Sequence, residues 1–177
     1  MRRFVKIKNK ERQKALATQF KDLNRWDEDE QFESYKEISL TVFDHWLSEE
    51  EANIQISPDI PKKERQRRDN AFLCFRELLF KNTEVVTYRI KGRGKRSHLS
   101  FKAFTSLESG LAYSTPTIMR AGFYWAGGRV KFFQLVLPQL DAIYLESWDD
   151  RNILLYKNNS TLELVKQLAK ESSLFCL

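Results

Sequence analysis

Apolar residues recur at helical spacing in three places in the first half of the chain. Leu16, Phe20 and Leu23 share one face of a helix expected over residues 10–24. Tyr35, Ile38, Val42, Phe43, Trp46 and Leu47 recur at intervals of three and four and predict a second helix over 33–52. Ala71, Phe72, Phe75, Leu78 and Leu79 form the stripe of a third, over 63–81, whose first turns are basic. Between the last two, Pro58 and Pro61 require a loop over 53–61. Cys74, beside the third stripe, reads as a small buried hydrophobe, and His45, between apolar positions of the second helix, as structural.

At Glu84 the period changes. Residues 84–90 are β-branched and aromatic and read as a strand, and residues 99–104 alternate apolar with polar as a second. The segment from Lys91 to His98 between them is a basic, glycine-containing turn or loop. One or two helical turns are expected near residues 106–113. Residues 122–137 read as an approach strand, an Ala-Gly-Gly turn and a strong strand that ends at Pro138. Short strands follow at 142–148 and 152–157, then a turn, then a strand from Thr161 that continues as a helix. The fold class is therefore α+β: N-terminal helices (10–81) packed on a mostly antiparallel C-terminal sheet (84–165), in a single domain spanning residues 1–177. The placement of glycine agrees, since all 6 lie at or after Gly92.

Composition narrows the class further. Of 177 residues 42% are hydrophobic, too many for a disordered chain and enough for a real core. No apolar run is long enough to span a membrane and the N-terminus carries no apolar leader, so a cytoplasmic protein without a membrane partner is expected. Two cysteines, Cys74 and Cys176, with His45 and His98 as the two histidines, give no metal-ligand spacing, so no metal is expected.

The net charge of +6 is unevenly placed. Residues 31–57 hold 1 basic and 6 acidic groups, residues 58–102 hold 13 and 5, and residues 103–177 hold 7 of each. The basic stretch from Lys62 to Lys102 is either a solvated face or a surface for an anion such as nucleic acid, an acidic protein or a phosphate-bearing ligand. Within it Lys91, Arg93, Lys95 and Arg96 are candidate anion-binding residues: loop amides and cations together can cradle phosphate, although the glycine spacing matches neither a Walker loop nor a dinucleotide fingerprint. Glu146, Asp149 and Asp150 cluster around Trp148, where neighbouring carboxylates can divide acid and base roles or simply solvate a hairpin turn. Aromatic residues from Phe101 to Phe133 interleave with Arg and Lys and could stack bases or fill a core.

The order of these fragments resembles that of mono-ADP-ribosyltransferases of the Arg–Ser–Glu class over roughly residues 35–165. Arg89, at the end of its strand, stands at the place of the family's arginine. Phe104, Thr105 and Ser106, followed by a short helix, stand at the serine motif. A strand ends at Pro138, and Asp150-Arg151-Asn152 precedes Ile153-Leu154-Leu155 at the place of the Glu-x-Glu turn. The resemblance implies NAD as cofactor, with Arg89 on its phosphate and Thr105 and Ser106 bracing the nicotinamide-ribose pocket. It implies Asp150, Asn152 and Glu146 as catalytic candidates in a domain of the small bacterial toxin or phage effector type. Asn152 stands where that family has its essential glutamate, and an amide carries no charge to stabilise a developing cation. Either Asp150 or Glu146 takes that role, or the domain binds without catalysing. Two further readings are a protein-binding chain of immunity or inhibitor type, and a nucleic-acid-binding module that uses residues 62–102.

Overall fold

Strands drawn from residue 4 to residue 176 pair into one antiparallel sheet in the computed structural model, which describes residues 4–24, 32–57, 59–91, 98–112, 133–147 and 149–177. The strands are β1 (Phe4–Lys6), β2 (Lys36–Thr41), β3 (Val86–Lys91), β4 (His98–Phe104), β5 (Phe133–Leu137), β6 (Ala142–Glu146), β7 (Arg151–Tyr156) and β8 (Phe175–Cys176). Their spatial order is β1-β4-β3-β5-β6-β7-β2-β8. The helices are α1 (Lys10–Gln19), α2 (Glu49–Gln55), α3 (Lys62–Asn82), α4 (Leu107–Leu111) and α5 (Asn159–Glu171).

Helices cover both faces of the sheet. On one, Leu16, Phe20 and Leu23 bury against Val86, Leu99, Phe101, Val136, Ile143 and Leu155. On the other, Phe72, Phe75 and Leu79 of α3 and Val165, Leu168 and Ala169 of α5 bury against Leu40, Leu135, Leu137, Tyr144 and Leu154. Strand β6 lies between the two layers and every residue of it is buried, which explains its run of apolar side chains. The α+β class holds. The division into helices first and sheet afterwards is looser than the sequence implies, because β1, β2 and α5 cross it. No described helix is long and apolar enough to cross a membrane.

Two expected elements are different. The helix expected over 33–52 is strand β2 followed by bends and the short α2. Ile38, Leu40 and Val42 fit a period of two as well as they fit a helical stripe, and burial on both faces selects the strand: Leu40 packs under α3 while Ser39 and Thr41 are buried on the opposite side. The helix starts only where Ser48 supplies a capping box, its Oγ accepting from the Glu51 amide at 3.3 Å while Glu51 Oε2 accepts from the Ser48 amide at 2.8 Å. His45 is consequently on the surface, hydrogen-bonded to Asp44 at 2.7 Å, and not on an apolar face. The strand expected from Thr161 is the start of α5, whose buried positions Thr161, Val165, Leu168 and Ala169 keep helical spacing throughout. The approach strand and turn expected from residue 122 lie outside the described residues.

Helix α4 rests on α3 through Gly110. A β-carbon there would sit 2.2 Å from Phe80 Cζ, and Phe80 packs edge-on against Phe104 with ring centroids 5.3 Å apart. Gly110→Ala should therefore cost about 1–3 kcal/mol of stability through overpacking. Thermal melting checks this, and an unchanged midpoint would mean that the Phe80 ring yields freely.

Candidate anion-binding site

Strands β1, β4 and β3 bring together cations that are far apart in sequence. Lys6 lies opposite Lys102, which lies opposite Thr87; Ser100 lies opposite Arg89, and His98 opposite Lys91. Directly paired residues share a face, and Leu99 and Phe101 point into the α1-side core, so Ser100, Lys102, Arg89, Lys91 and Lys6 all project on the other side of the sheet. Lys6, Arg89 and Lys91 are exposed, and the Lys102 ammonium sits 4.1 Å from the centroid of the Phe4 ring. Burial first, and then the like charges of Arg89 and Lys91, hold Lys102 below the ordinary lysine value.

The carboxylates are elsewhere and are matched. Asp150 is buried at the start of β7 with φ of 58°, and its carbonyl accepts from Thr41 Oγ1 at 2.9 Å. Arg68 Nη1 donates to its Oδ2 at 2.9 Å and Arg65 Nη1 to the same oxygen at 3.2 Å. Arg68, 2% exposed, also donates to Glu64 Oε1 at 2.7 Å, to the Gln55 carbonyl at 2.7 Å and to Gln55 Oε1 at 3.0 Å, and its guanidinium stacks on Phe43. Arg76 Nη1 reaches Glu146 Oε1 at 3.2 Å, and its Nη2 donates to the Leu111 carbonyl at 2.8 Å, tying α4 to α3 and β6. Asn152 is engaged at both ends: Oδ1 accepts from the Ser147 amide at 2.9 Å and Nδ2 donates to the Tyr144 hydroxyl at 2.6 Å. Burial, with Glu146 close by, raises the Tyr144 phenol well above its usual value.

Glu64 is the outlying member of this network. The Arg67 and Arg68 guanidiniums hold its carboxyl down at about 2, against 4.5 unperturbed. A carboxyl lowered by folding contributes stability above its unfolded pKa and loses it as pH falls. Urea midpoints should therefore drop between pH 4.5 and about 2 in the wild type. Glu64→Gln should flatten part of that slope, by less than the full shift implies because the Glu64 side chain is 30% exposed. Parallel pH curves for the two proteins would contradict this.

No family model matches the chain, and no curated protein or solved structure matches it significantly.

Of the residues singled out from sequence, Glu146 and Asn152 lie at the adjoining ends of β6 and β7, Asp150 just before β7 is held by Arg68, about two turns of α3 away from the Arg76 that holds Glu146, and Arg89 and Lys91 lie on the β3–β4 face. Phe133 on β5 faces Glu146 on β6, and Val86 on β3 faces Val136 on β5. Continuing those registers sets Arg89 level with Glu146 two strands away, about 10 Å at ordinary strand spacing. Thr105 and Ser106 are at the start of α4: Ser106 Oγ accepts from the Ser109 amide at 3.1 Å, and Thr105 Oγ1 is 2.9 Å from Ser109 Oγ. Arg93, Lys95 and Arg96 lie outside the described residues, in the connection between β3 and β4. Sequence reasoning did not single out Lys6 or Ser100, nor Arg76 as the partner of Glu146. Only Arg76 left a signal, since it follows Arg65 and Arg68 at spacings that keep all three on one side of a helix.

Proposed function

We propose that this chain is a nucleic-acid-binding domain whose β1–β4–β3 face receives the phosphate backbone. One contrast carries the reading. Among the described residues, Arg12, Arg65, Arg67, Arg68, Arg76 and Arg151 each form an ion pair with a carboxylate. No described carboxylate pairs with Arg89, Lys91, Lys102 or Lys6, the four that share one sheet face. Three exposed cations and a half-buried lysine left together on one strand face suit a polyanion. Binding of a mixed-sequence oligonucleotide, followed by fluorescence anisotropy from 50 to 200 mM salt, tests the proposal. A linear, steep fall of log affinity with log salt is expected. Absent or salt-independent binding would remove the reading.

A second reading, an ADP-ribosyltransferase-like site for NAD, is favoured by one observation: Arg89 shares a sheet face and level with Glu146 and Asn152. In that reading Arg89 holds the dinucleotide phosphate, and the transferase step falls to Glu146 or Asp150. Both are ion-paired to α3, so turnover would require one of those pairs to open. Incubation with NAD and measurement of released nicotinamide separates this reading from the first.

A further inference from the structure

Ser100 is 4% exposed, and its Oγ has no hydrogen-bond partner. Buried hydroxyls without partners are uncommon, and each one needs a reason. Strand alternation turns this one away from the α1-side core and onto the cationic face, directly opposite Arg89 and two positions from Lys102. The paired β-carbons of Ser100 and Arg89 are about 5 Å apart at usual cross-strand spacing, and Lys102 is about 7 Å along the strand. Guanidinium and ammonium groups only donate, so none of these neighbours can accept the hydroxyl proton. The other buried unpartnered side-chain atoms among the described residues, Tyr35 Oη and Asp149 Oδ1, are on neither β3 nor β4. What is missing at Ser100 is an acceptor that also carries negative charge.

We infer that Ser100, Arg89 and Lys102 form a discrete seat for one phosphate group. The hydroxyl donates one hydrogen bond to a phosphate oxygen, Arg89 offers its planar pair of donors, and Lys102 neutralises charge beside them. This deepens the nucleic-acid reading by naming where a backbone phosphate is held. The same chemistry would take the pyrophosphate of a dinucleotide such as NAD.

Ser100→Ala tests the seat, with thermal melting and affinities for three probes: a mixed-sequence oligonucleotide, NAD and inorganic phosphate. A hydroxyl with no partner loses no bond on removal, so the melting temperature should stay the same or rise. A hydroxyl that donates to a charged group should cost roughly tenfold in affinity when removed. A tenfold loss on the oligonucleotide alone assigns the seat to a backbone phosphodiester, and a tenfold loss on NAD assigns it to a dinucleotide. The control is Ser39→Ala, which removes the acceptor of a 2.9 Å bond from Arg151 Nε on the opposite side of the sheet and should lower stability without changing affinity. Unchanged affinity of Ser100→Ala for every probe that the wild type binds, or a lowered melting temperature, overturns the seat. Steep salt dependence of the wild type would in that case leave the nucleic-acid reading standing. A wild type that binds none of the three probes overturns both.

Discussion

Arg68→Ala should destabilise the fold by about 3–5 kcal/mol, because it leaves a buried carboxylate with half its compensation gone. The Arg68 side chain is 3% exposed and that of Asp150 is 4% exposed, so water cannot replace the lost partner without opening the α3–sheet contact. Arg65 remains on the same Asp150 oxygen at 3.2 Å, and it limits the loss without removing it. Arg68 also joins α3 to the Gln55 carbonyl at the end of α2 and stacks on Phe43 beyond β2. Its removal therefore loosens three segments at once. For a chain of this size the change corresponds to a fall of about 10 °C in melting temperature. A second substitution, Asp150→Leu in the Arg68→Ala background, should recover part of the loss, because the stranded charge is then gone. Urea denaturation of the two variants measures this. A single-variant loss below about 1 kcal/mol, the range of exposed pairs, would show that the network is hydrated.

The same network explains which parts of the molecule could be read from the sequence. The α3 stripe, the strands around Val86 and Phe101 and the buried run at Ile143 each follow one period only. Strand β2 does not: Ile38, Leu40 and Val42 satisfy periods of two and of three to four together. The decision was made by Ser39 and Thr41, which are buried on the far side, and that cannot be seen without the sheet. β1 is three residues long and has no period of its own; only its pairing with β4 defines it. The acidic cluster near residue 150 was visible, but its arginine partners lie 70 to 85 residues earlier on a helix. Among the described cations of residues 58–102, two sets stand apart. Arg65, Arg68 and Arg76 point inward and are neutralised, whereas Arg89, Lys91 and Lys102 remain without described carboxylates and are joined by Lys6 from the other end of the sequence. A count of charges cannot separate an internally paired run from cations that share one open face; the pairing of strands and the ion pairs do.

Replacing Lys6, Arg89, Lys91 and Lys102 together by alanine is expected to remove most nucleic-acid affinity while leaving the fold intact. If each cation meets one phosphate, the log–log salt slope should fall in magnitude by about 3 on a single strand and by about 4 on a duplex. Four such contacts alone make the wild-type affinity drop roughly a hundredfold between 50 and 200 mM salt, a dependence the variant should largely lose. Stability should change little, because the four side chains have no described carboxylate partner, and losing the Lys102 contact with the Phe4 ring is offset by relief of a lysine held down by burial and by the like charges of Arg89 and Lys91. That pairing of outcomes separates a binding face from a structural one, since the arginines of α3 would show the reverse: lost stability and little change in salt slope. Lys166→Ala with Lys170→Ala, which remove equal charges per site from the exposed side of α5, provide the control for net charge. If the control and the quadruple variant reduce the slope in proportion to charge removed, binding is a diffuse response to a net charge of +6 and not the property of the β1–β4–β3 face.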